Sequence, residues 1–318
     1  MPPKRTRALP TKAARRAARL RLGPLQRQLI APNTALRYRA ALRLFFRFLF
    51  QQHFRMPTTA VALDQCIAKF IESLWHEGDP LSYATDCLSG MQFHLPTTRG
   101  KLVYSWRLIK AWKKAEIPTR ATPFLPSFVT AVAAYPHFST SEVIAILVGF
   151  HCLLRTGELF RLQWQHFEIN PSQTLGVLTL PSTKSGNRFG YVESVSVTEK
   201  TLLRFIAKGK QRFPPEALLI SDTPCRFRDI FDNAVTHANL LEGLWKPYSL
   251  RRGGATQHFR DSGSMDATCL RGRWAHLVTC RIYVNDANAT LTELRTTACQ
   301  QLWHGLLKRR LAYRLRQW

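Results

Sequence analysis

Three prolines within a short stretch divide this chain of 318 residues into two parts with different sequence patterns. Pro118, Pro123 and Pro126 lie at about residues 116–128, and proline interrupts a helix because it lacks an N–H and clashes with the preceding turn. The part before this stretch shows only helical patterns, whereas the part after it mixes helical patterns with one hairpin. A chain of this length usually forms more than one domain. We therefore expect two domains joined by a linker at this position.

In the first part, apolar periodicity predicts helices at about residues 33–53, 62–77, 81–94 and 101–114. The first of these helices has five apolar residues at positions i, i+3, i+4, i+7 and i+8, which predicts one continuous buried face; they are Leu42, Phe45, Phe46, Leu49 and Phe50. Trp106 and Trp112 are interpreted as core anchors between helices. The pattern is that of a small helical bundle.

A row of arginines, Arg39, Arg43 and Arg47, runs beside the apolar face of the first long helix. Such a row is commonly a solvated helix face, and in a basic protein it equally suits contact with a DNA backbone. We carry these three residues forward as candidate DNA-binding residues.

The second part has two short runs of β-forming residues around a turn. Gly176–Leu180 and Tyr191–Val197 flank residues 181–190, which predicts a hairpin. Helical patterns occupy the rest of this part, at about 139–154, 199–208, 226–238, 249–261, 265–272, 275–285 and 290–305. The expected fold class is mainly α with a small β-hairpin or sheet, an α+β arrangement.

Positive charge dominates the chain, with 46 Lys and Arg against 20 Asp and Glu and a net charge of +26. Fourteen of the basic residues precede the first acidic residue, Asp64. Such an excess favours a polyanionic partner, because each phosphate contact releases condensed counterions. Residues 1–29 are basic and interrupted by prolines, which predicts a largely disordered arm with a helix over about 13–22. The arm suits contact with DNA phosphates, nuclear import or organellar targeting.

The cysteines and histidines show no pattern of a metal site. The seven cysteines lack paired spacing, and no Cys/His cluster has the spacing of zinc ligands. No apolar run is long enough to span a membrane, and no glycine-rich nucleotide-binding loop is present. We expect neither a metal nor a small-molecule cofactor, and no membrane association.

Five segments of the second part together suggest one reaction centre. They carry, in chain order, Arg155 in LLRTGEL, Lys184 in STKSG, Arg251 in YSLRRGGAT, Trp274 in GRW and Tyr283 in RIY. This order resembles that of the tyrosine recombinases, in which Arg, Lys, His-x-x-Arg, His or Trp and a nucleophilic Tyr follow one another. The interval of nine residues from Trp274 to Tyr283 also agrees with that family. The resemblance covers roughly residues 141–285, and more weakly the helical part before them.

The resemblance implies cleavage of a DNA phosphodiester by Tyr283, with formation of a 3′-phosphotyrosyl link. Arg155 and Arg251 would clamp the phosphate, since guanidinium is always charged and makes forked hydrogen bonds. Lys184, in the hairpin turn, would protonate the leaving 5′ oxygen, and Arg188 is the rival cation on that turn. Trp274 would donate to the phosphate and support the helix of the nucleophile.

Two further residues each have more than one possible assignment. Glu158, three residues after Arg155, is a candidate for orienting that arginine, or for pairing with it only structurally. Tyr248 occupies the position that the family fills with His. A phenol has a pKa near 10 and is a poor base at neutral pH, so Tyr248 suits a hydrogen bond to a phosphate oxygen or a role in shaping the pocket better than an acid–base role. Gly253 and Gly254 are interpreted as packing residues.

The resulting domain assignment is a basic arm at 1–29, a helical core-binding, DNA-binding domain at 30–118 and a catalytic domain at 119–318 that ends in a basic helix. The expected function is site-specific DNA recombination or integration, for example in a mobile element, on double-stranded DNA and as a homotetramer. Two alternatives stay open, a non-catalytic DNA-binding derivative and a type IB topoisomerase-like enzyme. The expected location is the nucleus in a eukaryote and the cytoplasm otherwise, with organellar targeting as a further alternative.

Overall fold

A computed structural model describes residues 11–183, 186, 191–240 and 242–318. The chain forms two compact units, Met1–Thr119 and Arg120–Trp318. Lys184 and Arg188 lie outside the described residues, as do residues 1–10 of the basic arm. None of the described helices is both long enough and apolar enough to cross a membrane.

The first unit is helical throughout its described residues. Its helices are α1 (Lys12–Leu22), α2 (Pro32–Gln51), α3 (Ala60–Glu77), α4 (Leu81–His94) and α5 (Val103–Ala115), with short 3-10 turns at Leu25–Gln28 and Pro96–Thr98. Helix α1 corresponds to the one helical segment expected within the arm. The side chain of Thr59 caps the first turn of α3, and Gly78 ends that helix with a left-handed φ of 77°, a conformation that glycine adopts without strain.

The core of the first unit is made by α2, α3, α4 and α5. Trp112 is buried and its ring meets that of Trp75 edge to face, with 5.1 Å between the ring centroids, as expected for a core anchor. The prediction of one continuous apolar face on α2 is wrong in part. Leu42, Phe45 and Leu49 are buried, whereas Phe46 and Phe50 are exposed, because residues one position further around a helix point away from the core.

The second unit holds the remaining helices and the sheet. Its helices are α6 (Pro126–Ala133), α7 (Thr140–His151), α8 (Thr156–Leu159), α9 (Lys200–Arg212), α10 (Pro224–His237), α11 (Tyr248–Ser262), α12 (Met265–Arg271), α13 (Leu277–Tyr283), α14 (Asp286–Arg295) and α15 (Ala298–Gln317). The single helix predicted over 290–305 is wrong. Thr297 and Gln300 form a capping box that starts a new helix.

The sheet has three antiparallel strands in the order β1 (Phe167–Ile169), β2 (Gly176–Leu180) and β3 (Glu193–Val197). Strands β2 and β3 form the predicted hairpin, with Leu180 opposite Glu193. Their buried residues alternate, which covers one face with the core. The mainly α fold with a small sheet is confirmed, whereas the short strand β1 was not predicted.

The basic C-terminal helix packs within its own unit. Leu307, Leu311 and Leu315 of α15 are buried in the core of this unit, and the ring of Trp318 stacks on Phe213 with 6.3 Å between centroids. These three leucines lie on one side of the helix, at i, i+4 and i+8, and the helix packs against α6 of the same unit.

Helix α11 packs closely against the chain on either side of it through two adjacent glycines. A Cβ on Gly253 would lie 2.2 Å from the Phe124 carbonyl oxygen, and one on Gly254 would lie 2.1 Å from that of Phe150. The atoms contacted belong to the backbone, which cannot move aside as the end of a flexible side chain can. The packing interpretation of this glycine pair therefore agrees with the structure, and the approach fixes the helix that carries Tyr248 and Arg251.

Gly254→Ala should therefore lower the free energy of unfolding by about 1–3 kcal/mol or more, the usual cost of overpacking a rigid core. Gly305→Ala is the matched control, because its Cβ would meet nothing within 4 Å on α15, and alanine should stabilise a helix by about 0.5–1 kcal/mol. Urea unfolding of both variants measures the difference. Equal stability of the two variants would contradict the close approach at Gly254.

Candidate active site

Two tyrosine hydroxyls of the second unit meet where one helix ends and another begins. Tyr283 is the last residue of α13 and Tyr248 the first of α11. The Tyr248 hydroxyl donates a hydrogen bond to the Tyr283 oxygen at 2.6 Å, and both side chains are half-buried. Tyr248 therefore contacts the predicted nucleophile directly, from the position where the family places His.

The two phenols differ in their ease of ionisation. Burial by itself would raise the pKa of Tyr283, but the hydrogen bond from Tyr248 and the charges of Arg251 and Arg155 lower it below its usual value. Burial and the hydrogen bond to Tyr283 raise the pKa of Tyr248. Donation to one oxygen favours the charged form of the acceptor and the neutral form of the donor. Tyr283 is thus the phenol that ionises first.

Tyr248→Phe should remove this donor and raise the pKa of Tyr283. If the ionised phenol attacks, the rising limb of a pH–rate profile for the Tyr283 reaction moves to higher pH, and the rate at pH 7 falls by roughly tenfold for each unit of displacement. Single-turnover rates measured from pH 6 to about pH 10 check the displacement. An unchanged profile in the variant would show that Tyr248 does not assist the ionisation of Tyr283.

Arg251 lies fully buried beside this pair. Its guanidinium donates to the backbone carbonyls of Leu153 and Gly272, and its Cζ lies 4.6 Å from the Trp274 ring centroid and 5.1 Å from that of Tyr283. Burial lowers its pKa to about 10, with further lowering by nearby arginines, so the group remains charged at neutral pH. Through these two hydrogen bonds, Arg251 connects the segment that precedes Arg155 with the segment that precedes Trp274.

Arg252, the neighbouring residue in the same motif, has a different position. It donates to the Ile282 carbonyl at 2.9 Å, and it does not share the ring contacts of Arg251. Of these two adjacent arginines, Arg251 is the one whose guanidinium lies next to the Trp274 and Tyr283 rings.

The Trp274 side chain packs directly against Tyr283. It is buried, and its ring centroid lies 4.6 Å from that of Tyr283. Within the described residues, neither its indole Nε1 nor Nε of Arg251 makes a hydrogen bond of normal geometry, yet the Trp274 indole acts as a hydrogen-bond donor that lowers the pKa of Tyr283. Buried N–H groups normally have partners. Donor groups of Trp274 and Arg251 next to the Tyr283 ring therefore form a suitable environment for an anion.

Arg155 and Glu158 pair at the start of α8. The Glu158 carboxylate accepts from the backbone N–H of Arg155 at 2.9 Å and from its Nη1 at 2.7 Å. Glu158 is buried, while the Arg155 side chain retains about a fifth of its exposure. The carboxylate thus fixes both the backbone and the side chain of Arg155. This geometry satisfies the expected orienting role as well as the purely structural pairing.

Two residues of this cluster were not found by sequence reasoning. Arg273 lies 2.7 Å from Glu158 and 3.4 Å from Glu193, and Glu193 lies 3.8 Å from Arg155. Arg273 is adjacent to Trp274 in the GRW segment, which was a usable signal. Glu193 begins β3 in a run of ordinary strand residues, and no local pattern distinguishes it. Both were missed because their partners are remote in sequence.

Two other sets of expected residues remain. Lys184 lies outside the described residues. Arg39, Arg43 and Arg47 are exposed on α2 of the first unit. No group of three or more His, Cys, Asp or Glu in the described part of the chain is placed to hold a metal ion.

Comparisons with known proteins give a consistent answer for the fold. No protein-family model matches the sequence, and no curated protein is a significant match. Among solved structures, the Tn1549 transposon integrase (residues 82–397) in complex with circular intermediate DNA matches with a TM-score of 0.61 and 15% identity. This match covers 85% of the present chain and 96% of the integrase chain.

A lambda integrase dimer bound to a COC′ core site matches with a TM-score of 0.56 and 13% identity, over 83% of the present chain and 74% of that one. The order of the site residues in the sequence had suggested the same family. At these identities the likeness concerns the fold. The chain has the fold of the tyrosine recombinases.

Proposed function

We propose that this protein cuts and rejoins double-stranded DNA through a covalent link between Tyr283 and a 3′ phosphate, as a site-specific recombinase or integrase. The observation that carries the proposal is the environment of Tyr283, whose oxygen accepts a hydrogen bond from Tyr248 and whose ring lies 5.1 Å from the guanidinium carbon of buried Arg251. Such an environment favours an ionised phenol at a site that attracts a phosphate.

The proposed step forms a bond from the Tyr283 oxygen to phosphorus and breaks the bond from phosphorus to the 5′ oxygen. Arg155 and Arg251 offset the charge that builds on the non-bridging oxygens, and donors of this kind contribute about 10²–10³ in rate each. Lys184 gives a proton to the departing 5′ oxygen. Attack by a 5′ hydroxyl on the phosphotyrosyl link reverses the step, so the reaction needs no nucleotide.

DNA as the partner is supported by charge and by the neighbours in fold. The net charge is +26, and the Tn1549 and lambda integrase structures are complexes with DNA. Exchange between two duplexes breaks four strands. Because each active site cleaves one strand, four subunits are needed, and a homotetramer on DNA is part of the same proposal.

Trapping the covalent intermediate tests the proposal directly. The full chain is incubated with a labelled pool of duplexes of randomised sequence. Each duplex carries one nick, a few nucleotides away from the middle of the duplex. Cleavage next to the nick releases a short fragment that diffuses away, so rejoining fails. A labelled adduct that survives denaturation supports the proposal, and its DNA reveals the target site. Specific DNA binding without adduct would favour the non-catalytic alternative, and plasmid relaxation without exchange the topoisomerase alternative.

The basic arm offers a separate prediction on affinity. The arginines of α1 are exposed, and residues 1–29 contain no acidic residue. Deleting these residues should weaken binding to all duplexes alike and make the plot of log K against log salt shallower, by about 0.9 for each lost phosphate contact. Titrations at several salt concentrations measure the slope. An unchanged slope would favour a targeting role for the arm.

A further inference from the structure

The backbone at Arg273 has a conformation that arginine does not favour. Its φ is +57°, in the left-handed region that suits glycine. Gly272, directly before it, has a φ of −80°, and it lacks a side chain for another reason, since a Cβ there would lie 1.8 Å from the Trp274 ring. The chain thus holds an arginine where glycine would fit with less strain. Strain at such a position is a reason to look for a function of the side chain.

The side chain of Arg273 lies between two buried carboxylates. Its Nη2 lies 2.7 Å from Glu158 Oε2 and its Nε 3.4 Å from Glu193 Oε2, and only 7% of the side chain is exposed. Both oxygens of Glu193 are buried and make no hydrogen bond with any residue that the structure describes, and ion pairing with Arg273 and Arg155 offsets this charge. A buried carboxylate without a partner is costly.

The same two carboxylates contact Arg155, from the opposite end of the cluster. The two guanidiniums and two carboxylates sum to zero charge. Without Arg273, two carboxylates would compete for Arg155 alone, and the group would carry one negative charge beside the place of an incoming phosphate. Arg273 also donates to the Cys152 carbonyl at 3.3 Å, in the segment that leads into Arg155.

We propose that Arg273 is a positioning residue, which neutralises Glu158 and Glu193 together with Arg155, so that Arg155 can bind a DNA phosphate without leaving these carboxylates uncompensated. The proposal rests on the proposed function. Glu193, at the start of β3, then belongs to the same charge-neutral group, and the function of Arg273 accounts for a strained arginine next to Trp274.

The decisive variants are Arg273→Gln and the double variant Arg273→Gln with Glu193→Gln. The single variant leaves an excess of negative charge, and the double variant restores neutrality without restoring the arginine. At saturating nicked DNA, the single variant should form adduct at least tenfold more slowly, with little change in DNA affinity. The double variant should regain a large part of the rate. A purely structural role of Arg273 would not be rescued by removing a second group.

Arg271→Gln is the matched control. Arg271 lies two residues earlier and donates to the His151 carbonyl at 2.9 Å, and no ion pair joins it to either carboxylate. It should keep the parent rate. Thermal unfolding of every variant is recorded alongside. The proposal is overturned if Arg273→Gln cleaves at the parent rate, if its loss is entirely in DNA affinity, or if the double variant is no faster than the single one.

A readout without cleavage separates this proposal from the proposed function. Inorganic phosphate should raise the Tm of the parent protein. The Arg155→Gln variant should show a smaller rise, and the difference between the two rises measures phosphate binding at Arg155. Arg273→Gln should lose the same part and the double variant should regain it, even if no adduct ever forms. Retention of the full rise in either Arg155→Gln or Arg273→Gln would overturn the proposal.

Discussion

Tyr283→Phe should abolish the covalent protein–DNA adduct and leave the rest of the protein nearly unchanged. The substitution removes one oxygen and keeps the ring that packs on Trp274 at 4.6 Å. The oxygen also accepts the hydrogen bond from Tyr248, so the free energy of unfolding should fall by only about 1 kcal/mol. DNA affinity should persist, because Arg155, Arg251 and the basic surface remain.

The measurement is a denaturing gel of parent and variant with nicked duplex DNA, followed by peptide mapping of the adduct. Tyr248 is the important alternative, since its hydroxyl lies 2.6 Å from that of Tyr283. An adduct that persists in the Phe variant, or that maps to Tyr248, would show that Tyr283 is not the nucleophile. Tyr248→Phe is the matched control, and it should retain the adduct at a reduced rate.

Lys184→Ala should slow cleavage of an ordinary phosphodiester by about 10²–10⁴-fold, the usual contribution of a positioned general acid. On a substrate with sulfur in place of the bridging 5′ oxygen, the variant should react almost as fast as the parent. A thiolate leaves without protonation, so the acid has no task there. Single-turnover rates on the two substrates give this comparison.

Arg188→Ala is the matched control for the same turn. If Lys184 is the acid, the loss of Arg188 should affect both substrates to a similar and smaller extent. Equal defects of Lys184→Ala on the oxygen and sulfur substrates would remove Lys184 from this role. A defect of Arg188→Ala confined to the oxygen substrate would assign the proton to that arginine.

The sequence by itself determined the fold class and the order of the reactive residues. Apolar periodicity and caps depend on neighbours a few positions apart, and such patterns are legible in a single chain. The hairpin strands, most helices and the pairing of Arg155 with Glu158 at three residues' distance were predicted for this reason. The break between α14 and α15 was missed, although Thr297 and Gln300 had signalled it locally.

Only the tertiary structure decided which groups meet across long distances in the chain. Three such contacts join separate elements. Tyr248 contacts Tyr283, and Arg251 connects the segments at Leu153 and Gly272. Arg155 and Arg273 share Glu193. Periodicity carries no information on such contacts, since they depend on how helices and strands pack. The sequence therefore predicted the residues of a candidate site, and packing determined which charges surround them.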